Sequence, residues 1–218
     1  MMMTASSSSF KLEQICGVLD IKAFQHKQTL FYREFAYSPI SLVDPNENCS
    51  EFFHHSVKPP FIPSLMDREL WKTFNTLKYK ITGLDLIPRA DGESVTQSAV
   101  QWILLGWYDA TRTTERFIVG YKGGKLEKDL LTFMSIPCVN LETFKCPRLK
   151  NVNSSTLEKY KFIHCGQHFN SPDGDLHCSM KETVFYKDWI ISKLNIEEAE
   201  ENPHGIHEVI CEQGNFKP

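Results

Sequence analysis

Three residues of the types that bind zinc lie close together between His164 and Trp189. Cys165 and His168 are separated by two residues, and His168 and Cys178 are separated by nine. Structural zinc sites take four thiolate, imidazole or carboxylate ligands in a tetrahedron. The two-residue gap lets Cys165 and His168 bind one ion, and the turn signal Ser-Pro-Asp-Gly can bring Cys178 back to it. We therefore predict a structural zinc ion with three of its ligands in this segment.

The fourth zinc ligand has to come from another position, and three residues are candidates. Glu34 lies in TLFYREFAY, a run too apolar to take an acid inward without a partner. Cys146 in the loop CPRL and His177, the neighbour of Cys178, are the alternatives. The sequence favours Glu34 and leaves the other two open.

The same segment carries a second pattern, because His177 and Glu182 are spaced as H-x4-E. Cleavage of a phosphodiester by two metal ions needs several carboxylates at one place and a base that deprotonates water. A histidine and an acid at this spacing suit such a role, but they do not suffice by themselves. Further acids have to join them.

These motifs resemble those of the DEDDh exonucleases, which have the ribonuclease H-like fold and carry an H-x4-D near the start of the last helix. VLDIKAF resembles their first-strand motif D-x-E, with Asp20 as the first acid and Lys22 in place of the second. FIVGYKGGKLEKDLL resembles their central strand, turn and helix, with Glu127 as the acid. The resemblance implies catalysis with magnesium or manganese by Asp20, Glu127, His177 and Glu182. The Lys22 ammonium opposes metal binding there.

The zinc pattern and the nuclease pattern together resemble the Maelstrom domain. That domain is a DEDDh-like member of the ribonuclease H-like fold that lacks the catalytic acids and holds a Glu-Cys-His-Cys set. The matching residues are Glu34, Cys165, His168 and Cys178. The resemblance implies a catalytically degenerate module that binds single-stranded RNA or a protein partner, in RNA silencing.

Strands are predicted early in the chain. Residues 14–23 and 29–37 are rich in β-branched and aromatic residues, and the short segment between them suits an antiparallel hairpin. A third strand is predicted over 51–57, before Pro59 and Pro60.

Helices alternate with short strands in the rest of the chain. The first helix follows the start signals Ser64 and Asp67 and stops at Gly83; the second starts from Ser94 as N-cap, with Gln97 in a capping box. Strands over 116–120 and 136–141 flank a helix over 125–134, and a last helix runs over about 178–193. The tryptophans are expected in the core: Trp71, Trp102, Trp107 and Trp189. This order predicts an α/β fold, with a ribonuclease H-like mixed sheet flanked by helices.

Length and composition predict one domain. The 218 residues are 41% hydrophobic, which is enough for a full core. We expect a flexible N-terminus at 1–13, the domain at 14–194 and an acidic tail at 195–218. No run approaches the roughly 18 apolar residues that span a bilayer, and no secretory signal opens the chain. The seven cysteines, an odd number, suit thiols or metal ligands in a reducing compartment. We therefore expect no membrane association and an intracellular protein of the cytoplasm or the nucleus.

Charge gives a weaker indication of partners. The net charge of −3 provides no overall basic field, so nucleic acid would need a local patch. Lys122, Lys125 and Lys128 are candidates for phosphate binding, although the interleaved acids also suit an ordinary solvated face. Three functions stay open: a zinc-stabilised module that binds single-stranded RNA, a divergent active nuclease, and a protein-binding effector of nuclease descent.

Overall fold

The computed structural model describes residues 10–40, 52–60, 63–85, 94–168 and 174–201. Its centre is a six-stranded sheet with the strand order β4-β3-β2-β1-β5-β6. The strands are β1 (Ile15–His26), β2 (Thr29–Pro39), β3 (Phe53–Val57), β4 (Ser94–Val95), β5 (Ile118–Tyr121) and β6 (Cys138–Asn140).

The sheet is mixed, as the order of elements predicts. β1 pairs antiparallel with β2, and β2 pairs antiparallel with β3. β5 runs parallel to β1, and β6 runs parallel to β5. At the opposite edge β4 is parallel to β3. The predicted hairpin and the predicted mixed sheet are therefore confirmed.

Within the described residues, five α-helices lie around the sheet: α1 (Arg68–Leu77), α2 (Val100–Thr111), α3 (Lys125–Phe133), α4 (Ser154–Lys159) and α5 (Ser179–Glu201). α5 packs across β1 and β2 on one face. There Val184, Phe185 and Ile190 join the apolar cluster that contains Ile15 and Val18.

The opposite face of the sheet is covered by α2 and α3. Val100 and Leu104 of α2, with Leu130 and Leu131 of α3, pack in one cluster with apolar residues of β1 and β2. Each face of the sheet thus has its own apolar layer, the arrangement expected of an α/β fold.

Strand alternation decides which residues of β2 meet α5. Phe35 and Tyr37 point to the α2 side, where the Phe35 ring lies 5.1 Å from the Trp107 ring. Glu34 and Ser38 point to the α5 side, and Ser38 Oγ donates a hydrogen bond of 3.0 Å to Thr183 Oγ1. A polar row of β2 is therefore buried under the last helix, because residues two apart share a face.

The start of the second helix differs from the prediction. Ser94 lies in β4 rather than at an N-cap, and α2 begins at Val100 after a short 3-10 turn, Gln97–Ala99. The Gln97 side chain accepts from Tyr32 N at 2.8 Å and donates to Tyr32 O at 2.7 Å. Gln97 therefore does not form a capping box; its side chain provides hydrogen-bond partners for the backbone of Tyr32 in β2.

The first helix follows its start and stop signals. The Asp67 carboxylate accepts a hydrogen bond of 2.7 Å from Leu70 N and caps α1. A π-helical turn, Lys78–Thr82, continues the helix to Gly83, where φ is +69°. The left-handed conformation ends the helix, and glycine adopts it without steric cost.

The ends of the domain and two tryptophans also differ from expectation. Leu12 is buried although it was assigned to the flexible N-terminus, and α5 runs to Glu201, beyond the predicted boundary at 194. Trp71 is 39% exposed and Trp102 is 76% exposed, so neither is a core residue. Most of the predicted tail, 202–218, lies outside the described residues. Among the helices that are described, none has the length and apolar character needed to cross a membrane.

Candidate functional site

Four potential metal ligands converge under the start of α5. They are Glu34, Cys165, His168 and Cys178, and their ligand atoms all lie within 4.8 Å of one another. Glu34 lies in β2, and Cys178 is the residue just before α5. Cys165 and His168 lie in the segment after α4, where His168 forms an isolated antiparallel bridge with Leu84. Glu34, the favoured candidate for the fourth ligand, is thus the one that the structure places with the three others.

The two oxygens of Glu34 have different surroundings. Oε1 accepts hydrogen bonds from His54 Nε2 at 2.9 Å, from Ser179 N at 3.2 Å and from the Cys178 thiol at 3.6 Å. Oε2 lies 3.1 Å from His168 Nε2. Oε1 is therefore saturated by donors, whereas Oε2 is directed into the group.

Two polar atoms of the group are buried and lack hydrogen bonds within the described part of the chain. They are Glu34 Oε2 and His168 Nε2, which are close together but not in hydrogen-bond geometry. Ligands at 2.0–2.3 Å from a tetrahedral zinc ion lie about 3.3–3.8 Å apart. The 3.1 Å separation is slightly shorter than this range, and a bound ion would move the two atoms apart. The orphaned atoms and the soft donor set fit a zinc ion.

His168 is oriented by its second nitrogen. Its Nδ1 forms a hydrogen bond with the Thr82 carbonyl. A carbonyl can only accept, so Nδ1 carries the proton and the lone pair of a neutral ring lies on Nε2. Metal-binding histidines commonly have such a partner, which fixes both tautomer and ring orientation. Thr82 therefore prepares His168 to bind a metal through Nε2.

The electrostatics of the group favour a bound cation. A hydrogen bond from the Cys165 thiol lowers the pKa of Cys178 to about 6, against the effect of burial. Burial disfavours the imidazolium form of His168, but the Glu34 carboxylate raises its pKa to about 11. The group thus contains a carboxylate and a thiolate, and without a metal it takes up a proton on His168 to compensate them.

A second buried polar cluster surrounds Lys22. Its ammonium lies 2.8 Å from Asp20 Oδ2 and forms an ion pair with Glu182 as well. Glu127 joins from α3, where its Oε1 accepts a hydrogen bond of 3.3 Å from Ile21 N. The structure therefore brings together the three acids of the nuclease resemblance, around a lysine.

The acids of this cluster have raised proton affinities. Burial and the Asp20 charge raise the pKa of Glu182 to about 7, although Lys22 opposes the shift. Burial and Asp20 also raise the pKa of Glu127 to about 7. Burial disfavours the charged form of Lys22, but Asp20 and Glu182 raise its pKa well above the usual value. Lys22 is thus always protonated, and its charge stabilises the ionised forms of acids that repel one another.

The remaining predicted nuclease residue is His177. It lies half-buried in the 3-10 turn Gly174–His177, directly before α5. The zinc-ligand group includes its neighbour Cys178 but not His177. A role of His177 as a base stays a prediction.

The three lysines proposed to bind phosphate do not form one surface. Lys122 is turned inward, with its side chain only 6% exposed and its ammonium 2.6 Å from the Cys146 carbonyl. Lys125 is 88% exposed, 3.8 Å from Asp129, and Lys128 is also exposed. Lys122 is therefore not part of an exposed phosphate-binding patch, because its ammonium contacts the Cys146 carbonyl and Glu142 instead of solvent. Cys146 lies at this contact and not in the zinc-ligand group.

Sequence reasoning missed His54. The pair His54-His55 is visible in EFFHHSV, and the predicted strand implies that its members face opposite sides of the sheet. What the sequence does not show is the partner of β3, and hence which histidine meets Glu34.

Comparison with known proteins identifies no relative. No protein-family model, no curated protein and no solved structure matches this chain. What the protein does must therefore be inferred from the zinc-ligand group and the Lys22 cluster.

Proposed function

We propose that this chain is a zinc-stabilised, catalytically degenerate module of the ribonuclease H-like fold that binds single-stranded RNA without cleaving it. One observation carries the proposal: Lys22 is ion-paired with Asp20 and Glu182 at the point where the acids converge. The zinc ion would be held by Glu34, Cys165, His168 and Cys178, and its contribution is to the stability of the fold.

The arrangement of the sheet supports the ribonuclease H-like assignment. The antiparallel hairpin β1-β2 is extended by parallel β5 and β6, and the last helix crosses the strands that carry Asp20 and Glu34. This is the architecture that the likeness to the DEDDh exonucleases and the Maelstrom domain implies. The zinc-ligand group has the same Glu-Cys-His-Cys composition as that of the Maelstrom domain.

The Lys22 cluster argues against two-metal catalysis. Two divalent ions would have to displace an ammonium that already neutralises two buried carboxylates. Repulsion between Lys22 and an incoming cation adds to the cost, because charges interact strongly in a poorly solvated site. The acids therefore support a structural role, and an active nuclease using magnesium or manganese is the less favoured alternative.

The exposed lysines of α3 support an RNA ligand. Lys125 and Lys128 lie on the helix that sends Glu127 into the Lys22 cluster, so they are close to the former catalytic side of the fold. Lysines contact phosphates in a way that does not depend on sequence. A backbone lying along this helix would be held without contact to a catalytic metal.

Salt-dependent binding of a fluorescent single-stranded RNA tests this function. Wild type is compared with a Lys125→Ala, Lys128→Ala double variant and with Lys72→Ala, Lys193→Ala, which removes the same charge from exposed lysines elsewhere. Loss of two phosphate contacts should reduce the slope of log K against log salt by about 1.4. The control should keep the wild-type slope, and the RNA should stay intact in magnesium or manganese.

Two results would contradict the proposal. Absence of RNA binding at low salt would leave a protein partner as the function, and the exposed apolar side chains Trp102 and Phe162 are where such a partner would be sought. Cleavage of RNA by wild type that is lost in Asp20→Asn would show an active nuclease.

A further inference from the structure

We propose that His54 is a positioning residue of the metal centre: it selects Oε2 of Glu34 as the ligand atom and thereby raises the affinity for zinc. This inference rests on the zinc ion of the proposed function and adds a residue outside its ligand set. It also assigns a role to β3, which supplies none of the four ligands.

The register of the sheet brings His54 to Glu34. β3 pairs antiparallel with β2, so that His54 lies opposite Ala36, and His55 lies opposite Phe35. The side chain of His54 therefore points to the α5 side of the sheet, diagonally next to Glu34. Its Nε2 reaches Glu34 Oε1 at 2.9 Å, while only 15% of the side chain is exposed.

The two oxygens of Glu34 are made different by this contact. Oε1 receives the His54 N–H, the backbone N–H of Ser179 and the Cys178 thiol. Oε2 has no hydrogen bond from the described residues and lies next to His168 Nε2. Because the hydrogen-bond donors occupy Oε1, the lone pairs of Oε2 remain available to a cation. The Glu34 carboxylate is therefore arranged to bind a metal ion through Oε2 alone.

His54 provides the restraint that the backbone cannot provide alone. The Ser179 N–H comes from the start of α5, and the neighbouring Cys178 thiol would lose its proton on binding zinc. Without His54, one donor would then remain on Oε1, and the carboxylate could turn about it. The His54 N–H approaches from the sheet and holds the plane of the carboxylate from a second side. Without it, both oxygens compete for the Ser179 N–H and for the metal.

The neighbouring histidine offers a matched control. His55 is on the other face of the same strand, where its ring is stacked 5.5 Å from Trp107 with an interplanar angle of 9°. A substitution of His55 disturbs β3 and its packing but does not touch Glu34. It separates loss of metal affinity from general loss of stability.

The test is competition for zinc between the purified protein and a chromophoric chelator. In His54→Gln the side-chain amide nitrogen lies about as far from the backbone as Nε2 of histidine and can still donate to Glu34. In His54→Asn the side chain is too short for its amide nitrogen to reach Glu34. We expect the affinity of His54→Asn for zinc to fall about 10- to 100-fold, the usual effect of removing an outer partner of a ligand. His54→Gln should stay close to wild type, and His55→Asn should lower Tm without changing the affinity.

Cobalt(II) gives a second readout, because its visible absorption reports the ligand geometry of the folded protein. We expect the bands of His54→Asn to shift relative to wild type and those of His54→Gln to coincide with it. Equal zinc affinity of wild type and His54→Asn would overturn the inference, and so would an equal loss in His55→Asn. A wild-type protein that binds no zinc would instead refute the proposed function, and these outcomes are distinct.

Discussion

Replacement of Lys22 by methionine removes one positive charge and keeps most of the side-chain volume. Asp20 and Glu182 then face each other without a cation, with Glu127 close by. Removing one partner of a buried ion pair typically costs about 3–5 kcal/mol. Because only 14% of the Lys22 side chain is exposed and the ammonium has two acidic partners, we expect a loss at the upper end of this range, about 4–5 kcal/mol at pH 8.

The cost of Lys22→Met should depend on pH. Glu127 and Glu182 have pKa values raised to about 7, so the folded state binds protons more tightly than the unfolded state. Their contribution to stability is therefore present at low pH and is lost as pH rises through 7. Without Lys22 these pKa values rise further, so the difference between wild type and variant should be larger at pH 8 than at pH 6.

Urea denaturation with zinc present, at pH 6 and pH 8, measures both effects. Lys72→Met is the control, since Lys72 is exposed on α1 and its loss should change the stability by less than about 0.5 kcal/mol. A cost of Lys22→Met below about 1 kcal/mol at pH 8, or one that does not change with pH, would refute the view that Lys22 neutralises the cluster.

The charge reversal Lys22→Glu extends the same reasoning. It places a fourth carboxylate in the cluster, so we expect an unstable protein that manganese restores. Melting curves with manganese and with a chelator would show this, and a nuclease assay would reveal whether the restored acids cleave RNA. No response to manganese would mean that the cluster lacks the geometry of a metal site.

Two further substitutions test the zinc ion and the sheet. Cys165→Ser should abolish the zinc found by elemental analysis and lower the stability by about 3 kcal/mol, a fall in Tm of about 6–12 °C. Cys138→Ser is the control, because Cys138 lies outside the ligand group and its variant should retain the metal. Unchanged zinc content and Tm in Cys165→Ser would contradict the site. Gly17→Ala would place a methyl group 2.2 Å from the buried Tyr37 ring and should cost about 1–3 kcal/mol by denaturation. Gly106→Ala meets no atom within 4 Å in α2 and should be neutral or stabilising, so equal effects of the two alanines would contradict the packing.

The grouping of Glu34 with Cys165, His168 and Cys178 was predictable because the sequence carries the physical requirements of such a group. Cys165 and His168 are neighbours in the chain, and Glu34 is an acid in an apolar strand that needs a partner. The hairpin was predictable for the same reason, since its pattern and its turn are local.

Features that depend on distant pairing were not predictable. Ser94 has the composition of an N-cap, but its pairing with Ser56 makes it part of a strand. The inward turn of Lys122 depends on the carbonyl of Cys146, which is 24 residues away in the chain. The role of His54 depends on the register of β3 against β2. In each case tertiary contacts override a local pattern.

The pairing of Lys22 with Glu34 across β1 and β2 joins two sites that look separate. Cys178 and Glu182 lie about one turn apart at the beginning of α5, so the same piece of helix touches the zinc ligands and the lysine. The seating of this helix on the sheet is therefore thermodynamically linked to both metal occupancy and carboxylate protonation. If zinc occupies the group, removing it should alter how the acids around Lys22 titrate, and zinc affinity should in turn depend on the charge at residue 22.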